Sequence, residues 1–215
     1  MKERTIKLAA FLLTLTMVLC LSACGGKAVY TRGSWEDNVY TNTSLGFTLT
    51  MPDGWTAKSN EELMASVDGG YSTLTEEQKK NYDYSKNKTV YDFMISNASQ
   101  TSTFQLTVEN LSMTVGAGGM RSEEYAKSLR NQLEQITSMT YEVKDTYIAA
   151  LHGREYLVLP TIVEEPMFGE EHLCQDYYIR KEGKLMTTFI ATYLESNRKE
   201  FLAFLQNNLS AVAES

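Results

Sequence analysis

The residues best placed to do chemistry are Leu21-Ser22-Ala23-Cys24, where an apolar run ends in small residues and a cysteine. That order matches a bacterial lipobox, whose cysteine thiol is diacylglycerated and becomes the new N-terminus after cleavage. Lys2, Arg4 and Lys7 precede the run, and Leu8 to Leu21 carries no charge, so residues 1–23 have the n-region and h-region of a signal peptide. An apolar run of about 14 residues is too short for a bilayer span, which needs roughly 20. The other reading, ordinary secretory cleavage near Ala23 with Cys24 incidental, is disfavoured by Leu21 and by Gly25-Gly26 behind the cysteine. Two acyl chains anchor stably where one holds only reversibly. Cys24 is therefore the expected lipidation site. The expected place is the extracytoplasmic face of the cell membrane, with the membrane itself as a partner.

Other chemistry is sparse. His152 and His172 are the only histidines, which restricts acid–base and metal schemes. His172 follows Glu164, Glu165, Glu170 and Glu171, and the weak metal candidates are Glu170, Glu171 and His172. This stretch lacks the alternating Asp/Asn and the Gly of a calcium loop, so it reads as a solvated acidic loop and no metal is expected. His152, in Leu151-His152-Gly153, reads as an exposed turn residue. Gly116-Ala117-Gly118-Gly119 precedes a helix but has neither a Lys-Ser/Thr ending nor a dinucleotide fingerprint, so a crossover is the better reading than a phosphate cradle. No Gly-x-Ser-x-Gly occurs. The chain is expected to be non-catalytic and to use no cofactor.

Loss of residues 1–23 takes the basic count from 20 to 17 and the acidic count from 27 to 26, so the net charge moves from −7 to −9. Nucleic acid is excluded on that balance, because no stretch concentrates Lys and Arg without interleaved acids. Only Cys24 and Cys174 survive processing, and an acylated Cys24 leaves no intramolecular disulfide. Cys174 reads as a buried strand residue. Tyrosine is abundant at 13 residues. Tyr91, Tyr156 and Tyr178 are placed in strands. Tyr71, Tyr82 and Tyr84 lie in a polar stretch, residues 66–88, read as a recognition surface or as a loop with no partner.

The elements that must position these residues alternate along the chain. Residues 24–38 have no apolar periodicity and read as a flexible tether, with one domain from Val39 to Ser215. Phe47, Leu49 and Met51 alternate with Thr48 and Thr50, and Pro52-Asp53-Gly54 then predicts a hairpin into Trp55. Ser59 and Glu62 form a capping box for a short helix, and Thr73 or Thr75 caps another. Strands follow over Val90–Ile95 and Phe104–Leu111. Tyr125, Leu129, Leu133 and Ile136 form one apolar helix stripe. Further strands are expected at Tyr141–Tyr147, Arg154–Ile162 and Leu173–Arg180, with a turn at Lys181–Lys184 into Leu185–Tyr193. Ser196 is expected to cap a last helix burying Phe201, Leu202, Leu205 and Leu209. Short turns between strands imply a mainly antiparallel sheet. The expected class is α+β, an α/β/α sandwich.

Gly46-Phe47, Pro52 and Trp55, at their spacings, resemble the opening of the PsbP-like family, relatives of the photosystem II extrinsic subunit that include DcrB-type bacterial lipoproteins. The later element order is similar over roughly residues 39 to 210. The resemblance implies that family's α/β/α fold and a docking or accessory role, with no catalytic residues to carry over. The lipobox departs from the photosynthetic members. The leading expectation is an anchored docking protein with an envelope protein partner. The alternative is a carrier of a small apolar ligand or lipid in a sheet–helix cavity.

Overall fold

Period-two patterning builds two sheets in the computed structural model, which describes residues 30–65, 87–136, 140–164 and 171–212. The strands are β1 Ser34–Glu36, β2 Val39–Asn42, β3 Phe47–Thr50, β4 Trp55–Ala57, β5 Thr89–Asn97, β6 Thr103–Asn110, β7 Thr140–Val143, β8 Tyr147–Leu151, β9 Arg154–Glu164, β10 Leu173–Glu182, β11 Leu185–Leu194 and β12 Leu209–Ala211. The helices are α1 Asn60–Ala65, α2 Ser122–Glu134 and α3 Arg198–Asn208. The large sheet has the order β4-β5-β6-β11-β10-β9-β7, with β8 also on β9, and the small sheet has the order β1-β2-β3-β12. Every pairing among the described residues is antiparallel. The class is α+β, as expected.

Both faces of the large sheet are covered, so its polar positions are buried too. On β6, Phe104, Leu106 and Val108 enter one core, while Gln105, Thr107 and Glu109 point the other way and are still buried. The second face is covered by α2, whose Tyr125, Ala126, Leu129 and Leu133 pack on Leu159, Tyr177 and Ile179, and by Leu63 of α1 against Tyr91 and Met94. The expected capping box of α1 is present: Glu62 accepts from the Ser59 backbone N–H at 2.8 Å, and Ser59 Oγ accepts from the Glu62 N–H at 3.2 Å. The first face is covered by α3 together with the small sheet, a layer not expected from the sequence. Phe47 of that sheet meets Phe189 edge-on at 5.2 Å, and Phe189 stacks on Phe104 at 5.3 Å.

The predicted hairpin around Pro52-Asp53-Gly54 does not form. The turn exists, with Gly54 at φ 76°. It is a corner between sheets: β3 pairs with β2 and β12, whereas β4 pairs with β5. Pairing partners far away in sequence outcompete the adjacent strand. The C-terminal reading changes for the same reason, because Leu209 opens β12 opposite Leu49 instead of extending α3. Ser196 does not cap α3, since Asn197 holds that position and the Ser196 N–H donates to Glu171 Oε1 at 2.9 Å. Tyr141–Tyr147 also divides into β7 and β8, because Lys144 donates to the Pro160 carbonyl and leaves the ladder between them.

Residues 30–38, read from the sequence as part of a flexible tether, belong to the packed fold, so the domain reaches back before Val39. A register shift between Tyr91 and Phe93 makes Asp92 a bulge residue, so Asp92 and Phe93 face the same core. The buried Asp92 carboxylate accepts from Tyr30 Oη at 2.6 Å, from Asn42 Nδ2 at 2.7 Å, from Arg32 Nε at 3.2 Å, and from Tyr40 Oη. Tyr30, Arg32 and β1 are thereby part of the fold. Gly33 is required here, since a Cβ would sit 2.4 Å from the Tyr40 ring.

Replacing Asp92 by Asn removes the buried carboxylate charge beside Arg32 and forces an amide among donors. We predict a loss of about 3 kcal/mol in unfolding free energy, against about 1 kcal/mol for Tyr30→Phe. Urea midpoints at neutral pH measure both, and an unchanged midpoint for Asp92→Asn would exclude the network as a determinant of the fold.

Candidate functional site

Segments far apart in sequence meet at one end of the molecule. The β3–β4 corner brings Pro52 and Asp53, β4 brings Trp55, the β5–β6 turn brings Asn97 and Ser102, and α3 brings Asn197, Glu200, Phe201, Phe204 and Asn208. Together they line a groove of about 300 Å³. The β5–β6 turn is rigid because the Asn97 side chain spans it. Its Oδ1 accepts from the Ser102 N–H at 3.1 Å and its Nδ2 donates to Thr101 Oγ1 at 3.2 Å.

The floor is aromatic. Trp55 is half-buried and stacks on Phe204 with ring centroids 5.0 Å apart. Phe201 is seated on Tyr193 at 4.8 Å, and the Tyr193 hydroxyl donates to Asp176 Oδ2 at 2.7 Å. The helix that forms one wall therefore rests on a buried hydrogen bond of the large sheet. Burial raises the Asp176 carboxyl above its ordinary range, an effect the Tyr193 bond and the Arg198 charge oppose.

The rim is polar and acceptor-rich. Asn208 Nδ2 is used on the Phe204 carbonyl at 3.0 Å, which leaves its Oδ1. Asp53 and Glu200 are exposed carboxylates, and neither they nor Asn197 has a side-chain hydrogen bond or ion partner among the described residues. The lining holds no Lys or Arg.

The other polar clusters are used inside the fold. Glu109, its carboxyl raised by burial, takes Tyr125 Oη at 3.1 Å and the Lys88 ammonium at 3.4 Å. Cys174 lies buried in β10 as expected, and burial pushes its thiol up to about 11, away from thiolate chemistry. Gly118 accepts from Lys181 Nζ at 3.1 Å, and the Ala117 and Met120 amides bond within the same turn, so the glycine segment is a crossover turn. His152 is the correction. It sits in a turn, but only 9% exposed, because the turn folds back under the small sheet. Its ring lies 5.4 Å from Phe47, with Nε2 2.7 Å from Tyr156 Oη. Burial, with Arg154 and Arg180 nearby, pushes its pKa down to about 4.

Against known proteins the findings are these. No protein-family model matches the chain. Over 88 residues it is 33% identical to the serine–tRNA synthetase-like protein Slimp of Drosophila melanogaster, covering 40% of this chain and only 17% of that protein. Its fold is similar to the solution structure of PsbP from the cyanobacterium Synechocystis sp. PCC 6803, at 13% identity and TM-score 0.48 over 89% of this chain and 98% of that one. It is also similar to LpqN, involved in cell envelope biogenesis of Mycobacterium tuberculosis, at 10% identity and TM-score 0.41 over 76% and 82%. A Bacteroides thetaiotaomicron protein gives 12% identity and TM-score 0.39 over 82% and 49%.

Of the residues singled out in the sequence, Cys24, Tyr71, Tyr82, Tyr84 and Glu170 lie outside the described residues. Glu171 and His172 lead into β10, and both face the start of α3: Glu171 accepts from Ser196 and the His172 carbonyl accepts from Glu195 at 2.9 Å. Among the described residues no group of three His, Cys, Asp or Glu side chains could hold a metal ion. Tyr91, Tyr156 and Tyr178 lie in strands, as expected. The groove residues were missed, although Asn197, Glu200, Phe201, Phe204 and Asn208 recur at helical spacing along one stripe of α3.

His152 gives a pH prediction with a definite sign. The unfolded imidazole takes its proton near pH 6.5 and the folded one resists to about pH 4, so this residue's contribution to stability is complete above 6.5 and falls as pH drops through that window. The loss is on the order of 1–3 kcal/mol at the acid end. Glu109 and Asp176, both raised, act in the opposite sense and are common to wild type and variant. Unfolding free energy measured from pH 7 to 4 should fall less steeply in His152→Gln; equal slopes would show that the ring is protonated in the folded state.

Proposed function

We propose that this chain is a bacterial lipoprotein, held at the extracytoplasmic face of the cell membrane by a diacylglyceryl group on Cys24, that works as a non-catalytic binding or accessory protein. The groove beneath α3 carries the binding role, because it is where an aromatic floor lies open beside polar side chains that the fold leaves unused. The partner we assign is another envelope protein.

Short reach supports this reading. Tyr30 is already packed into the domain, and the chain from Cys24 to Tyr30 can extend at most about 20 Å. A domain leashed so closely meets neighbours at the membrane surface. Among the described residues no helix is long and apolar enough to cross a membrane. The carrier alternative would need an apolar hollow between sheet and helices, and among the described residues the layer between the large sheet and α3 is filled by Phe47, Phe93, Phe104 and Phe189. Docking at the groove is the better supported role.

Metabolic labelling with palmitate tests the anchor. The wild-type protein should take up label and fractionate with membranes, and Cys24→Ala should lose the label and leave the membrane fraction. Label retained by the variant would refute the assignment. In-cell crosslinking from a photoreactive residue at position 98, exposed beside Asn97, should then trap a discrete protein, and lose it in Trp55→Ala.

A further inference from the structure

Hydrogen-bond bookkeeping around the groove narrows what it binds. We infer that the groove takes an organic cation, an alkylammonium or guanidinium group, a conclusion that rests on the reading of this groove as the binding face. Two carboxylates, Asp53 and Glu200, line the groove and no basic side chain does, so an anion would meet repulsion and no counter-charge. Phosphate and carboxylate ligands are excluded on that ground.

Donor and acceptor counting then separates a cation from a neutral ligand. A polyol presents both donors and acceptors and needs both in return. Asn97 gives one amide hydrogen to Thr101 and its oxygen accepts from Ser102, and Asn208 gives one amide hydrogen to Phe204. What remains open is both oxygens of each of the acceptor-only carboxylates Asp53 and Glu200, with Asn208 Oδ1 and Asn197 Oδ1, against the Asn197 amide, the second amide hydrogens of Asn97 and Asn208, and the Ser102 hydroxyl. That surplus of acceptors suits a group that only donates, and ammonium and guanidinium are such groups.

The floor supplies the remaining term. Trp55 and Phe204 form an aromatic wall beside the carboxylates, and indole is the best of the side-chain rings for attracting a cation and the polarised CH2 next to it. A volume of about 300 Å³ is too small for a folded element and ample for one alkyl chain with a charged head.

The test is calorimetry and saturation-transfer NMR on the full chain in non-ionic detergent, with n-butylammonium as probe, n-butanol as its neutral counterpart and butyrate as its anionic one. Butylammonium should bind with Kd about 1 mM, and butanol and butyrate at least about tenfold more weakly. Asp53→Asn and Glu200→Gln should each weaken it about fivefold. Added salt should weaken it further. Both carboxylates are exposed, so an unchanged urea midpoint will verify that these variants fold. Butanol binding as tightly as butylammonium, or unchanged affinity in both carboxylate variants, would overturn the cation assignment. A blocked lysine tripeptide identifies the source. Tighter binding than butylammonium assigns the cation to a partner's polypeptide, and equal or weaker binding assigns it to a free amine. Failure here with membrane anchoring and the position-98 crosslink intact removes only the cation, whereas loss of that crosslink removes the docking role itself.

Discussion

A carboxylate in a protein interior is costly unless its lone pairs find donors, and Asp92 imposes that requirement on separate parts of this chain at once. Tyr30 and Arg32 come from the N-terminal segment, Tyr40 and Asn42 from the small sheet, and Asp92 itself from a bulge in the large sheet. None of these groups can leave without stranding the others in a low-dielectric site. The network therefore draws Tyr30 and Arg32 into the domain and sets how the two sheets face each other. Burial and the nearby Asp92 charge hold the Tyr30 and Tyr40 hydroxyls well above the usual phenol range, which keeps them as donors at any pH the fold survives.

From that fixed point the remaining order follows by packing. With the small sheet seated, Phe47 reaches Phe189, and Phe189 stacks on Phe104 of the neighbouring strand. Phe104 meets Phe201 and Phe204 of α3 at 6.4 and 5.8 Å, so the helix is fitted to the same aromatic layer. Phe204 in turn carries Trp55. The groove is thus an extension of the core to the surface, and its floor inherits the core's rigidity, which is what a preorganised binding face requires.

How much of this was legible depended on the range of each interaction. The α1 capping box, the α2 stripe, the β10–β11 turn and the burial of Cys174 are local or periodic, and each was read correctly. The Pro52–Gly54 turn was recognised, but its destination was not, because β3 sits between the neighbouring β2 and the distant β12 while β4 pairs with the distant β5. The exposure of His152 was misjudged for a like reason: a His-Gly turn with positive φ at both residues looks solvent-facing until another sheet closes over it. Half of the groove was written in the α3 stripe, yet those residues read as ordinary helix because the Trp55 and Asn97 that complete the site arrive from elsewhere.

Alone, the sequence determined the lipobox-like motif at Cys24, the acidic balance, the α+β class and most elements, since these rest on residue order, charge, composition and short-range periodicity. Tertiary structure decided that Tyr30 and Arg32, ahead of Val39, belong to the packed domain, that Asp92 is a bulge residue with donors 50 to 62 positions away, and that a polar stripe of α3 faces a tryptophan across a groove. The division has one physical cause. Hydrogen-bond satisfaction and packing are settled between strands and helices brought together only by folding, and one sequence read by itself records no such partner.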